Sequence, residues 1–97
     1  MTMTDDELAC GVEAVLTVAL EPVPASALAD LMGESEERTA ELLRTIRERL
    51  ITENRGFVLV ELASGWRIQS NPVAADVVQR YAQRDLSARL STAALET

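Results

Sequence analysis

Histidine is absent from the 97 residues, lysine is absent, cysteine occurs once, and aromatic side chains number three: Phe57, Trp66 and Tyr81. Each shortage removes a class of function. Without histidine there is no Ser-His-Asp or Cys-His nucleophile pair, no imidazole acid–base catalyst and no zinc site with a histidine ligand. Cys10 alone forms neither an internal disulfide nor a paired-cysteine metal knuckle. No metal and no cofactor is expected. The nine basic residues are all arginine and face sixteen acids, for a net charge of −7. That sign opposes the clustered cationic contacts on which phosphate-backbone binding depends. No apolar run approaches the ~20 residues of a membrane span. The start, Met1 to Glu7, is acidic where a secretory leader would be basic. The expectation is a cytoplasmic protein with no membrane contact.

The carboxylates remain as the one possible source of acid–base chemistry. They fall in first turns and on exposed faces of helices, where capping and solvation account for them. No catalytic residue is assigned.

What is present is 47% hydrophobic and 26% charged, in the range of a folded domain. Thr4-Asp5-Asp6-Glu7 has the form of a capping box. Leu8, Val12, Val15, Leu16 and Ala19 follow at helical spacing. A second flank of Ala9, Cys10, Ala14 and Val18 makes this first helix apolar over more than half its circumference, with Glu13 its only interior charge. Pro22 and Pro24 end it. A short helix over Ala25–Met32 stops at Gly33, placed as a C-cap. Ser35 caps a third helix that runs to about Leu50 or Thr52 on the stripe Leu42, Leu43, Ile46 and Leu50. Glu41, Arg44, Arg47 and Glu48 give it a solvent face patterned for salt bridges. The Gly33-Glu34-Ser35 link resembles the turn of a helix-turn-helix.

Beyond Asn54-Arg55-Gly56 the period changes from helical to alternating. Phe57–Leu62 reads as a strand, Ala63-Ser64-Gly65 as a hairpin loop and Trp66–Ser70 as the return strand. Asn71-Pro72 opens a fourth helix from Val73 to about Ala82, burying Val73, Val77, Val78 and Tyr81. Asp85–Leu90 reads as a connector, and Ser91 as the N-cap of a helix that runs to the end of the chain. Three helices, a β-hairpin wing and a fourth helix give an α+β fold, mostly α, of winged helix-turn-helix type.

A winged helix raises DNA binding as the first functional reading, with the start of the third helix in the major groove. That start carries Glu34, Glu36 and Glu37 against Arg38 alone. Trp66 has three readings: a core residue, a base-stacking platform or an interface anchor. The strand Phe57–Leu62 is apolar on both faces, more than a small core covers. Phe57, Val58, Val60 and Trp66 are therefore the candidate dimer interface, with Cys10, Ala14 and Val18 on the first helix as the alternative. Cys10 by itself reads as a small buried hydrophobe.

Four segments in order resemble one family, the bacterial segregation and condensation protein B, accessory subunit of the SMC condensin complex. Ala14-Val15-Leu16 through Glu21-Pro22-Val23 resembles a helix ending in a GEPV-type break, with Leu20 in place of glycine. Leu28–Gly33 resembles the LAEILG segment. Arg55–Ile68 resembles the RGIELVEVAGGYRL wing, with Trp66 where tyrosine is common. Leu90–Thr97 resembles the LSxAALET start of the family's second winged-helix domain. Pro24 stands where the family often has Ser or Thr.

The resemblance implies a winged-helix domain over residues 1–84 and, over 85–97, a linker with the first residues of a second winged-helix domain. It further implies a non-catalytic, homodimeric module in chromosome condensation and segregation. Its partners would be the kleisin subunit (segregation and condensation protein A) and, through it, the SMC ATPase. Association with the nucleoid would be indirect, with no direct nucleic-acid contact. A winged-helix DNA-binding transcription regulator is the alternative.

Overall fold

The computed structural model describes residues 3–96. Helix α1 spans Asp5–Val18, and its capping box is formed in both directions. The Glu7 N–H donates to Thr4 Oγ1 at 3.2 Å, and the Thr4 N–H donates to the Glu7 carboxylate at 3.2 Å. Helix α2, Ala25–Met32, starts after Pro24 without a side-chain cap and stops at Gly33, whose φ of 68° is a left-handed C-cap. Helix α3, Glu36–Thr52, is capped by Ser35, whose Oγ accepts from the Arg38 N–H at 3.1 Å. These bounds follow the capping and glycine signals closely.

Strands β1 (Phe57–Leu62) and β2 (Gly65–Ser70) pair antiparallel with Leu62 opposite Gly65, so Ala63 and Ser64 form a two-residue turn. Residues directly opposite share a face. Leu59, Ile68 and Trp66 turn to the helices, while Val58, Val60, Arg67 and Gln69 turn outward. The open end is tied by Asn71, whose N–H donates to the Gly56 carbonyl at 2.8 Å and whose side-chain amide donates to the Arg55 carbonyl at 2.9 Å.

A third segment joins the wing. Val23, in the α1–α2 connection, pairs with Trp66 as an isolated antiparallel bridge. The Val23 N–H donates to the Trp66 carbonyl at 2.9 Å, and the Trp66 N–H donates back at 2.8 Å. Gly65 makes this approach possible. Its φ is +137°, and a Cβ there would sit 2.4 Å from the Val23 carbonyl carbon.

The core is aliphatic around one ring system. Leu8, Val12 and Leu16 from α1, Leu28 from α2, Leu43, Ile46 and Leu50 from α3, and Leu59 from β1 are buried together with Trp66, which is 4% exposed. Each such aliphatic side chain contributes roughly 1.5–3 kcal/mol of burial free energy. Trp66 is a core residue. Arg47 of α3 stacks over it, guanidinium carbon 5.4 Å from the ring centroid. Among the described residues neither Arg44 nor Arg47 makes an ion pair, so the salt-bridge face expected of α3 is not formed there. The stacked position of Arg47 is one reason.

Four expectations are corrected. Cys10 is exposed, because α1 turns Leu8, Ala9, Val12 and Leu16 to the core and leaves the Cys10–Ala14–Val18 flank outside. Pro72–Ala74 forms a 3-10 turn with Asn71 Oδ1 accepting from the Val73 N–H at 3.0 Å; helix α4 then runs unbroken from Ala75 to Glu96. The segment Asp85–Leu90 is helical and not a connector, and Ser91 lies inside the helix. It has no Gly or Pro to break it, and Arg89 bridges Asp85 one turn back at 3.1 Å. Val73, Val77, Val78 and Tyr81, expected in the core, are all exposed, Val73 at 93%. The 3-10 turn and the helix carry them past the end of the three-helix body. The radius of gyration is accordingly 17.3 Å and the long axis 56 Å, against about 12.5 Å for a compact chain of this length.

Two stability predictions follow from the wing bridge. Gly65→Ala meets both a disfavoured φ and backbone atoms that cannot yield, so urea unfolding should show a loss of about 3 kcal/mol. Trp66→Ala removes the central ring and should cost about 3–5 kcal/mol. A loss below about 1 kcal/mol in either variant would contradict the position given to the bridge.

Candidate interaction surface

In a DNA-reading winged helix the exposed start of α3 meets phosphate and base edges. Here Glu36 and Glu37 are exposed in that first turn, with Glu34 half-buried just before it. Arg38, the one cation of the turn, is held by two carboxylates. It pairs with Asp5 of α1 and, through Nε at 3.3 Å, with Glu34. These exposed pairs contribute little stability, on the order of 0.2–1 kcal/mol each. Their effect is electrostatic, since they cancel the only positive charge where a groove would need one.

The wing supplies no replacement. Its turn is Ala63-Ser64, and the nearest cation, Arg67, lies on the outer face opposite Val60. Arg55 stacks over its own strand neighbour Phe57 at 5.9 Å, and Arg47 is over Trp66. Residues 3–37 contain nine acidic side chains and no basic one. The stretch from α1 through α2 to the first turn of α3 therefore carries negative charge alone up to Arg38.

The interface candidates fall into different places. Trp66 is buried and Phe57 packs against the core, so these two present little surface to a partner. Val58 and Val60 lie on the outer wing face and are half-buried between Arg67 and Gln69. On α1, Cys10 and Ala14 are exposed and Val18 is 76% exposed. Met32 of α2 closes over Gly11 on that same flank: a Cβ at Gly11 would lie 2.7 Å from the Met32 methyl. The apolar flank thus runs on into α2, where Leu31 is 67% exposed. Six further large apolar side chains, Val73, Val77, Val78, Tyr81, Leu86 and Leu90, are exposed along the 3-10 turn and α4. Reading each helix in isolation hid this, because helical spacing says that a stripe is apolar but not that a body is there to receive it.

For chemistry the surface offers little. Among the described residues no three metal-ligating side chains gather, and no buried side-chain polar atom lacks a partner. A cleft of about 330 Å³ lies between the start of α1 and α3, lined by Asp5, Asp6, Arg38, Glu41, Thr45 and Arg49 among others, with Arg38 already engaged by Asp5. No described helix is long and apolar enough to cross a membrane.

Relatives share both the sequence and the arrangement. The family described as "Segregation and condensation complex subunit ScpB" matches residues 10–97. Segregation and condensation protein B of Syntrophotalea carbinolica is 39% identical over 90 residues, 93% of this chain and 45% of that protein. The same protein of Symbiobacterium thermophilum is 34% identical over 88% of this chain and 38% of its own length. The chain thus spans less than half of either relative. The crystal structure of ScpB from Mycobacterium tuberculosis superposes with a TM-score of 0.85 at 28% identity, over 89% of this chain and 54% of that one. An ScpB N-terminal domain dimer complexed with an ScpA peptide superposes with a TM-score of 0.73 at 22% identity, over 78% of this chain and 95% of that one, and shows the common fold. On the match over residues 10–97 and the identity to these relatives, the chain belongs to the ScpB family of segregation and condensation complex subunits.

Proposed function

We propose that the chain is a non-catalytic dimerisation and docking module of the SMC–kleisin condensin complex, acting in chromosome condensation and segregation. The observation that carries this reading is the acidic, self-neutralised start of α3 in a winged helix of the ScpB family. The fold is one that reads DNA elsewhere, yet its reading surface here repels phosphate. Fold alone does not assign function, and the site is what decides.

In this reading two copies associate through apolar surface. The kleisin subunit, segregation and condensation protein A, is the next partner, and it links the module to the SMC ATPase. Work of this kind needs no cofactor, and its place is the cytoplasm, at the nucleoid through the complex. The ScpB N-terminal dimer with its ScpA peptide supports the same partnership. Residues 85–97 are assigned to the entry into a second winged-helix unit, as the LSxAALET resemblance implies. A regulator that binds DNA directly is disfavoured by the pairing of Arg38.

Two measurements test the proposal. In electrophoretic shifts at low salt, duplex DNA should not be retarded at micromolar protein, whereas Glu36→Lys with Glu37→Lys should produce weak, salt-sensitive retardation. Tight binding by the unaltered chain would favour the regulator. Sedimentation equilibrium should show a dimer, and calorimetric titration with the kleisin subunit should show saturable binding to the relatives' full-length form. A monomer at high concentration would count against the dimer.

A further inference from the structure

We propose that the free edge of β1 is a docking site for an extended segment of a partner protein, aliphatic at alternate positions and acidic between them, which adds to the wing as a further strand. The proposal rests on the docking role above for the existence of a protein partner, and adds where and in what conformation it is held. The hydrogen-bond phase of the hairpin fixes what the edge offers. Trp66 directs its N–H and carbonyl to Val23, and the Asn71 N–H goes to the Gly56 carbonyl. Bonded and non-bonded pairs alternate along an antiparallel ladder. Phe57–Ser70, Leu59–Ile68 and Glu61–Trp66 are therefore the non-bonded pairs of this register. The N–H and carbonyl groups of Phe57, Leu59 and Glu61 point away from β2, to the side opposite the Val23 bridge. None of them has a hydrogen-bond partner among the described residues. Three donors and three acceptors thus stand in a row ~14 Å long.

This edge is unguarded. Free edges are normally blunted by proline, a bulge or charged side chains. Strand β1 has no proline, its register with β2 is continuous, and Glu61 is its only charge. At its centre Leu59 is 2% exposed, so its outward amide and carbonyl have been withdrawn from water without gaining a partner. A backbone group in that state is costly, and a pairing strand satisfies it. Glu61 and Leu62, exposed at the turn end, are where such a strand first meets the edge.

Side chains and charge choose the segment. On the outer face Val58, Val60 and Leu62 form an aliphatic row, half-buried until Leu62, which is 42% exposed. An added strand continues that row with an aliphatic residue at every second position. Residues 44–71 hold five arginines against Glu48, Glu53 and Glu61, whereas residues 3–37 hold acids alone. Acidic residues in the segment are therefore attracted to the wing and repelled by the rest of the helix-turn-helix.

The test is fluorescence anisotropy on the whole chain with a labelled peptide of alternating valine and glutamate, and circular dichroism to verify folding. The unaltered chain should bind the peptide saturably. Glu61→Pro deletes an outward N–H and spares the β1–β2 ladder, since proline is tolerated where the N–H faces away from the neighbouring strand. It should weaken binding by about 10-fold. Glu61→Ala keeps the N–H and should not weaken it, and Glu61→Arg should tighten it by roughly 3-fold at low salt. A peptide that fails to bind, or that Glu61→Pro leaves equally bound, overturns the edge site and leaves the docking reading standing. Dissociation of a wild-type dimer by Glu61→Pro in sedimentation would give the edge to a second copy and overturns it too. The kleisin subunit in the same titration tests the docking reading separately: its failure to bind removes the partner named there and leaves the edge.

Discussion

Two hydrogen bonds between Val23 and Trp66 hold the molecule's parts in register. They join a connector that would otherwise be an irregular loop to a hairpin that would otherwise be a two-stranded ribbon, marginal in water. Gly65 permits the approach, and the approach sets where the Trp66 ring goes. With the ring inside, Leu59 and Ile68 are drawn over the helices, and Arg47 closes the outer side. The core therefore forms between three helices and a strand pair that belong to distant parts of the chain. Breaking the bridge would release the wing and uncover the centre of the core together.

That arrangement separates scaffold from surface. The scaffold is the helix-turn-helix with its wing, a form many proteins use to read duplex DNA. The surface has been given another character by charge: acids along α1, α2 and the start of α3, with Arg38 paired to carboxylates and Arg47 and Arg55 stacked on aromatic rings. Capping explains part of the acidity, since Asp5, Asp6, Glu36 and Glu37 stand where helix dipoles favour them. The consequence for recognition is the same whatever its origin. What this domain offers a partner is aliphatic area with a polar border, which suits protein and not phosphate.

Much of the fold was legible because its signals are local. Thr4 with Glu7, Gly33, Ser35 and the switch of period at Phe57 each mark a boundary through contacts within a few residues. The exposed residues were harder to place. Helix α1 is apolar around most of its circumference, and only packing decides that Leu8 and Val12 face inward while Cys10 and Val18 do not. Trp66 could have been core, platform or anchor until the bridge to Val23 was seen, and that bridge spans some forty residues with no pattern of its own. The fourth helix was misjudged for a related reason. Val73, Val77, Val78 and Tyr81 have helical spacing, but burial needs a neighbour, and the body ends before them. Its continuation through Asp85–Leu90 depended on an intrahelical ion pair and on the absence of a breaker.

A long helix with so little tertiary contact has its own thermodynamics. Over its length of about 33 Å α4 carries, among the described residues, the Asp85–Arg89 ion pair, but it lacks most of the tertiary packing from which helices in proteins draw their stability. Its amides therefore open by fraying from the far end, at low free energy, while those of the core strands and α3 wait for global unfolding. Melting is graded along one axis of the molecule. Whatever covers α4 converts that gradient into a step, so its arrival would be recorded as slowed deuterium uptake in residues that otherwise exchange first.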